Sequence, residues 1–260
     1  MKTRILSALI MLPLMAVIYF GGVWLVAMCF LIGVLGVREF FKGFESLEIK
    51  PSYPIAVGSA VGLYAIFLFH EQTEWYLLWA FLSVLASLLY LFNIEKRKLE
   101  DAMATITGIF YIIYFSFHVV LVDNMGDASI LVWLIIFSAF GSDVFAYFTG
   151  MAIGKHKLCP KISPKKTIEG AIGGVAGSVV LCGLFGYFIA EPYFLHSLAI
   201  GAVGAVISQC GDLTASVFKR KMGIKDYGNL IPGHGGILDR FDSVLFTAPG
   251  IYYYIHLFIV

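Results

Sequence analysis

Three aspartates near the end of the chain are of the residue type that holds a divalent cation. Asp239 and Asp242 are three residues apart, so both lie on one face if their segment is helical. Asp212 stands at the end of the preceding apolar run. Because Mg²⁺ prefers carboxylate oxygens together with water and substrate phosphates, these residues predict a Mg²⁺ site. The alternative is that Asp239 and Asp242 are ordinary acids at a helix start, where the helix macrodipole favours negative charge.

A fourth aspartate, Asp143, falls inside an apolar segment, within "FGSDVFAYFTG". A carboxylate at that depth in a membrane costs about 3 kcal/mol on insertion scales and by default marks a functional or paired site. Asp143 is therefore a catalytic candidate. The alternative is a structural ion pair with a basic side chain on a neighbouring helix.

Two groups of basic residues complement these acids. In "SPKKTIEG", Lys165 and Lys166 precede Thr167, which is a good N-cap residue for the helix that follows. A helix N-terminus beside two lysines is a natural phosphate site, although lysines at a membrane edge also arise from the positive-inside rule. The second group is open to the same two interpretations and comprises Lys219, Arg220 and Lys225.

The segment "PGHGG", residues 232–236, lies between charged stretches. Gly235 and Gly236 would let the main chain approach a ligand closely, and His234 could donate a hydrogen bond to a phosphate oxygen. Glycine-rich phosphate loops are common, and the Walker pattern is absent from this chain, so the segment alone is a weak signal.

These polar residues must be positioned by an almost continuously apolar chain. Of its 260 residues, 60% are hydrophobic and 13% are charged, and the mean hydropathy is +0.88. This composition excludes a soluble domain and predicts an all-α, polytopic integral membrane protein. A spanning helix needs about 20 apolar residues. Charged and Gly/Pro clusters divide the chain into nine such segments, at 4–20, 22–38, 52–70, 75–93, 103–122, 129–151, 168–190, 194–214 and 243–260.

The distribution of basic residues predicts the orientation. With nine spans and a cytoplasmic N-terminus, all 18 Lys and Arg residues fall in inside segments, whereas the outside loops carry acids. The candidate site then lies on the cytoplasmic side. The first boundary, around Gly21, also fits a single long helix or a re-entrant pair. Without linkers or repeats, residues 1–260 form one membrane domain, with 1–128 as scaffold and 129–260 as the catalytic half.

Carboxylates for a metal, cations for phosphates and a permissive backbone together indicate phosphoryl or nucleotidyl transfer. Their predicted position at the membrane surface, with Asp143 deeper, indicates one water-soluble substrate and one lipid substrate. The residue pattern by itself does not name the nucleotide.

The run "SVFKRKMGIKDYGNLIPGHGGILDRFD", residues 216–242, resembles the signature of the phosphatidate cytidylyltransferases, also called CDP-diacylglycerol synthases. That signature reads S-x-x-K-R-x4-K-D and then P-x-H-G-G-x-x-D-R-x-D. "SDVFAYFTG", "SPKKTIEG" and "SQCGDLTAS" are also similar to family segments, in the expected order, while the N-terminal half matches only in being polytopic and hydrophobic. The matching positions of the signature are Ser216, Lys219, Arg220, Lys225, Asp226, Pro232, His234, Gly235, Gly236, Asp239, Arg240 and Asp242.

The resemblance implies the reaction CTP + phosphatidate → CDP-diacylglycerol + pyrophosphate. It also implies a homodimer in a bacterial-type cytoplasmic membrane, with CTP, phosphatidic acid and the bilayer as partners and no nucleic acid. Mg²⁺, with K⁺ as a candidate second cation, would be held by Asp212, Asp239 and Asp242, with Asp143 as a further catalytic carboxylate. The substrate phosphates would contact Lys165, Lys166, Thr167, Lys219, Arg220, Lys225, Asp226, His234, Gly235, Gly236 and Arg240.

Two other functions fit parts of the pattern. A CTP-dependent polyprenol or phytol kinase would share the helical architecture and the nucleotide, but the complete P-x-H-G-G-x-x-D-R-x-D run argues against it. An ion-coupled transporter would use Asp143 as its coupling site. The chain lacks the repeat symmetry that many transporters show, and its charge is crowded on one side.

Overall fold

A computed structural model of the chain describes residues 15–70, 72–229 and 235–260. Residues 15–20 are helical, and Gly21, with φ +58°, separates them from the first helix whose two ends are described. The chain therefore breaks where the first predicted boundary lies. Residues 1–14, which contain most of the first predicted span, are outside the described residues.

The N-terminal half contains five α-helices. α1 packs against α2 and α5, and α2 packs against α3. A π-helical turn, Ile109–Tyr114, joins α4 and α5 into one continuous rod. The five helices are α1 (Gly22–Gly43), α2 (Tyr53–Phe69), α3 (Thr73–Leu89), α4 (Leu99–Gly108) and α5 (Phe115–Asp123).

The C-terminal half contains four helices and a small hairpin. These elements are α6 (Val132–Ile153), β1 (Lys157–Cys159), β2 (Ser163–Thr167), α7 (Ile168–Phe188), α8 (Phe194–Lys221) and α9 (Leu238–Phe258). β1 and β2 pair antiparallel, with Lys157 opposite Thr167. The hairpin is a small departure from the all-α prediction, which treated residues 154–166 as a polar loop.

Small residues bring α6 and α7 close together. A Cβ at Gly174 would lie 2.8 Å from the Ser142 carbonyl oxygen, and a Cβ at Gly177 would overlap the Phe145 ring. Close contact of this kind is typical of small residues at helix interfaces in membranes. It sets the hairpin and the start of α7 directly beside the end of α6.

An aromatic cluster joins the two halves. The Phe40 ring of α1 lies 5.1 Å from Phe218 of α8 in an edge-to-face arrangement, and Tyr111 lies 5.5 Å from Phe218 and 5.8 Å from Phe246 of α9. Such pairs contribute about 0.5–1.5 kcal/mol beyond their buried area. The ends of α8 and α9 that carry the candidate site are therefore braced by the N-terminal half.

The charged loops meet at one end of the bundle. Arg220 Nε donates to the Ile162 carbonyl at 3.3 Å, which joins the end of α8 to the hairpin. Ser46 Oγ donates to the Met222 carbonyl at 2.6 Å, which joins the end of α1 to the loop after α8. The meeting of these segments at one end agrees with the prediction that the basic segments lie on one side of the membrane. That this end faces the cytoplasm remains a prediction.

The helices agree well with the predicted spans. Within the described part of the chain, six helices are long and apolar enough to cross a membrane, and α2 is a shorter apolar helix. The chain is thus an integral membrane protein, while the count of nine spans remains a prediction. Three helix ends differ by at least five residues, since α1 continues to Gly43 rather than 38, α8 continues to Lys221 rather than 214 and α9 begins at Leu238 rather than 243. The extensions of α8 and α9 place charged residues of the candidate site on helices.

Candidate active site

A cavity of about 380 Å³ opens between α6, the hairpin, α7 and α8. On one side, Tyr147 and Met151 of α6 are 65% and 66% exposed, so the cavity borders an apolar helix surface. The cavity is therefore charged on one side and, on the other, borders an exposed apolar surface of the kind that faces lipid. Five of the residues predicted from the sequence line the cavity: Asp143, Lys165, Lys166, Thr167 and Asp212.

Lys166 of β2 and Asp212 of α8 form an ion pair at this cavity. Their side chains are 27% and 23% exposed, so water and a ligand can reach both. Thr167 Oγ1 accepts a hydrogen bond from Gly170 N at 3.1 Å, which confirms the predicted N-cap of α7. The hairpin thus holds Lys165 and Lys166 at the N-terminus of α7, as expected of a phosphate-binding position.

A second group of acids lies where α6 and α9 meet. Ser243 Oγ donates to Asp143 Oδ2 at 3.0 Å, and Ser243 N donates to Asp242 Oδ1 at 2.8 Å. Asp242 is also within electrostatic range of Asp212 and Asp143. Three helices therefore contribute one carboxylate each to a shared acidic region. The direct partner of Asp143 in this region is a hydroxyl, with Lys166 and Arg240 farther away but within electrostatic range.

Asp239 has a different environment. Its Oδ1 accepts from Lys219 Nζ at 2.9 Å, and its Oδ2 accepts from the backbone N–H groups of Tyr227 at 2.8 Å and Gly236 at 3.0 Å. Its side chain is only 3% exposed. Lys219 Nζ also lies 3.9 Å from Asp242 Oδ2, so this lysine bridges the two acids. Asp239 therefore anchors the loop between α8 and α9.

The three carboxylates predicted to bind Mg²⁺ are thus divided between two environments. Among residues 15–70, 72–229 and 235–260, no three His, Cys, Asp or Glu side chains are arranged as a metal site. Both Asp239 oxygens are engaged by a lysine and backbone donors, whereas Asp212 and Asp242 lie near Asp143. The Mg²⁺ site remains a prediction, and the contacts favour Asp143 over Asp239 as the third carboxylate of the region.

The other predicted phosphate-binding residues are dispersed. Lys225 and Asp226 are exposed in the loop that follows α8. Arg220 is exposed and donates to a backbone carbonyl of the hairpin turn. Arg240 is half-buried, and within the described part of the chain its buried Nε–H group has no hydrogen-bond acceptor. His234 lies outside the described residues.

The described part of the glycine segment, Gly235 and Gly236, differs from the phosphate-binding loop that the sequence predicts. Gly235 has φ +84°, a conformation that glycine adopts without strain. The Gly236 N–H, however, already donates to the Asp239 carboxylate. In this arrangement Gly235 and Gly236 lie against the carboxylate of Asp239 rather than against an open site. That they bind a substrate phosphate remains a prediction.

Comparison with known proteins identifies the family of enzymes to which this chain belongs. A family model described as the cytidylyltransferase family matches residues 2–258. The chain belongs to the cytidylyltransferase family. Its relatives include the phosphatidate cytidylyltransferase of Synechocystis, at 32% identity with 97% of this chain and 95% of the relative covered. The enzymes of the same name from Bacillus subtilis and Thermotoga maritima are 33% identical, covering 83% and 84%, and 31% identical, covering 97% and 95%.

Sequence reasoning missed several polar contacts of this cytidylyltransferase-family site. Ser243 links Asp143 to Asp242, although a lone serine beside an acid gives no signal in the sequence. Gln209, three residues before Asp212, lines the cavity and donates to Ser142 Oγ at 3.1 Å. Its polarity within an apolar run was a signal of the kind used for Asp143. The position of Gln209 in an apolar run could therefore have suggested that it belongs to the site. The role of Ser243 is visible only in the packed helices.

Tyr227 is a further member of the site that was not singled out. Its hydroxyl donates to the Ala215 carbonyl at 3.1 Å, and burial raises the pKa of its phenol, so the hydroxyl stays protonated as a donor. Lys219 Nζ lies 5.3 Å from the centre of its ring, within cation–π range. Tyr227 thereby ties the loop to α8 beside the Lys219–Asp239 pair of this cytidylyltransferase-family protein.

Proposed function

We propose that this protein transfers the cytidylyl group of CTP to phosphatidate and releases pyrophosphate. The observation that carries the proposal is the cavity in which lysines and aspartates face one another beside an exposed apolar surface of α6. This combination suits one anionic soluble substrate and one lipid substrate. The family and the names of the relatives supply the identity of both substrates.

In the proposed reaction, an oxygen of the phosphatidate phosphate forms a bond to the α-phosphorus of CTP. The bond between this phosphorus and the oxygen leading to the β-phosphate breaks, and pyrophosphate leaves with the electron pair. A phosphomonoester has a second pKa of about 6, so it is already an anionic nucleophile near neutral pH and needs no strong general base. Catalysis then rests on positioning and on neutralisation of charge.

The proposed placement of the substrates follows the two walls of the cavity. Lys165 and Lys166 would bind phosphate oxygens, because both lysines line the cavity beside the N-terminus of α7, where the helix dipole also favours negative charge. The exposed apolar side chains Tyr147 and Met151 would border the acyl chains of the lipid. Such an arrangement brings a lipid phosphate from the bilayer to the nucleotide without removing its chains from an apolar surface.

The carboxylates fit Mg²⁺ in the chemistry of their donor atoms. Proteins commonly hold this ion through one or two carboxylates plus substrate phosphates, so a closed set of three protein ligands is not required. We propose that Asp212 and Asp242 hold it, with Asp143 kept beside them by Ser243. When bound, Mg²⁺ would neutralise negative charge on the phosphates. A second cation such as K⁺ remains a prediction.

Labelled nucleotide tests this proposal directly. Membranes that contain the protein are incubated with phosphatidate and with CTP labelled at either the α- or the γ-phosphate, with and without Mg²⁺. We expect α-label in extracted lipid only when phosphatidate and Mg²⁺ are both present, and γ-label only in water-soluble products. Lipid labelled from the γ-position would instead identify a lipid kinase. Solute flux in proteoliposomes without CTP turnover would identify a transporter.

Membrane orientation and oligomeric state follow from the same proposal. The active site would face the cytoplasm, where CTP is available, and the protein would work as a homodimer in the cytoplasmic membrane, as the family resemblance implies. Cys159, a partly exposed thiol in the hairpin, offers a native test of sidedness. A membrane-impermeant thiol reagent should modify it in inverted vesicles and leave it unmodified in intact cells.

A further inference from the structure

Glu39 lies near the end of α1, far in sequence from every residue of the candidate active site. It is half-buried, and it lies outside the signature segments quoted in the sequence analysis. A carboxylate in an apolar helix is costly unless it is well hydrogen-bonded, so its partners indicate its role.

Those partners are the first N–H groups of α9. Glu39 Oε1 accepts from Ile237 N at 3.1 Å, and Oε2 accepts from Leu238 N at 2.9 Å. α9 begins at Leu238, and its own N-cap residue, Ile237, has no side-chain oxygen to satisfy the free N–H groups of the first turn. Glu39 therefore caps α9 from another helix, and its negative charge suits the positive end of the helix dipole.

Two glycines make room for this carboxylate. A Cβ at Gly228 would lie 2.6 Å from Glu39 Oε1, and a Cβ at Gly236 would lie even closer to Oε2. Any larger residue at either position would displace Glu39 from α9. Gly228 and Gly236 therefore leave space for the Glu39 side chain beside the start of α9.

Asp239 completes the arrangement from the other side of the loop. It accepts from two further backbone N–H groups of the same segment. We define the carboxylate clamp as Glu39 and Asp239 together with the N–H groups of Tyr227, Gly236, Ile237 and Leu238.

We propose that Glu39 is a positioning residue for cytidylyl transfer, which rests on the function proposed above. The first turns of α9 carry Asp239, Arg240 and Asp242, and the clamp fixes where this helix starts and in which direction these side chains project. Glu39 touches none of the reacting groups. It acts by holding the backbone of α9, so that Asp242 stays linked to Asp143 through Ser243 and within electrostatic range of Asp212.

The clearest test replaces Glu39 and measures the backbone and the reaction separately. Glu39→Gln keeps the shape but only one good acceptor, and Glu39→Ala removes both. Hydrogen–deuterium exchange should show faster exchange at Ile237 and Leu238, with the larger change in the alanine variant. The kcat should fall about 10- to 100-fold in Glu39→Ala and less in Glu39→Gln, because small displacements of reacting groups are costly. KM for CTP should change much less than kcat.

Glu45→Gln is the matched control, because Glu45 follows α1 and is exposed. It should leave both the exchange of these amides and kcat unchanged. Unaltered exchange at Ile237 and Leu238 in Glu39→Ala, or a kcat equal to that of the Glu45→Gln control, would overturn the proposal. If the unmodified protein itself fails to convert CTP and phosphatidate, the proposed function fails, while the exchange experiment still decides whether the clamp exists.

A second variant pair tests the contact without relying on a single substitution. Gly228→Ala should lower kcat in the unmodified protein because the new methyl group displaces Glu39. In the Glu39→Ala background the same change should have little further effect, since the obstructed side chain is gone. Gly58→Ala is the control, because nothing lies within 4 Å of a Cβ there. Fully additive losses from Gly228→Ala and Glu39→Ala would contradict the proposal.

Discussion

Two of the lysine–aspartate contacts that α8 makes, Lys166–Asp212 and Lys219–Asp239, have different surroundings. Asp212 pairs with Lys166 at the cavity, where the two side chains are 27% and 23% exposed. About two helical turns later, Lys219 pairs with Asp239, where the exposures are 12% and 3%. The first contact is between groups that a ligand can reach. The second is almost inaccessible to solvent, and its aspartate also accepts from the backbone N–H groups of Tyr227 and Gly236.

This difference separates two tasks within one helix. Each group of the Lys166–Asp212 pair is free to exchange its partner for a phosphate or a cation, because water already reaches both. Asp239 has a lysine on one oxygen and two backbone N–H groups on the other, so exchange of partners there would open the loop. We infer that the cavity pair belongs to substrate binding and the enclosed pair to the framework.

The largest expected effect concerns the cavity. Asp212→Asn should lower kcat by about a thousandfold, since removal of a charge that neutralises or holds a phosphate-bound cation costs several kcal/mol of transition-state stabilisation. Unfolding temperature in detergent should hardly change. Turnover is measured with labelled CTP at saturating Mg²⁺. Asp127→Asn, an exposed acid before α6, is the control, and comparable activity in the two variants would remove Asp212 from the mechanism.

The next effect concerns the enclosed pair. Lys219→Met should lower the free energy of unfolding by about 3 kcal/mol, because it leaves the buried Asp239 carboxylate without its cation. Denaturation in detergent micelles measures this loss. The double variant Lys219→Met/Asp239→Asn should recover much of it, since neither charge then remains. No destabilisation in the single variant would mean that the pair is not part of the framework.

A smaller effect is expected for the lysine at the cavity. Lys166→Met should raise KM for CTP by about 10- to 100-fold, because a charge-assisted hydrogen bond to a phosphate contributes about 1.5–3 kcal/mol. Its effect on the free energy of unfolding should be small, because the pair is partly exposed. Initial rates over a range of CTP concentrations provide the measurement. A stability loss as large as that of Lys219→Met would erase the difference between the two contacts.

The smallest effect concerns the support of the cavity wall. Thr167→Ala removes the N-cap of α7 and should lower the free energy of unfolding by about 1 kcal/mol. Thr167→Ser retains a hydroxyl and should restore most of the stability. Both are measured by thermal unfolding in detergent. Equal stability of the alanine and serine variants would show that the cap does not hold the hairpin against α7.

Most of the helical framework could be predicted from the sequence. Runs of apolar residues between charged clusters located the helices of the described chain to within a few residues, apart from the extended ends at Gly43, Lys221 and Leu238. These ends escaped prediction because they are polar, and hydropathy detects the buried part of a helix rather than its continuation into water. The hairpin escaped because its strands are short and lack an apolar alternation.

The types of the active-site residues followed from the sequence alone. A carboxylate inside an apolar span is costly, so Asp143 was expected to be functional or paired, and the spacing of the later acids predicted a metal site. The signature from 216 to 242 indicated the family that the comparison confirmed. The N-cap at Thr167 followed from a local rule that depends only on neighbouring residues. Information of this kind is contained in residue type and short spacing.

Tertiary structure alone decided which of these residues work together. In the folded chain, Asp239 binds backbone N–H groups between α8 and α9. Ser243 links Asp143 to Asp242, and Glu39 contacts the start of α9. These contacts connect residues up to 199 positions apart, and no local periodicity specifies them. The physical reason is that a buried carboxylate must find its donors wherever the packed helices provide them.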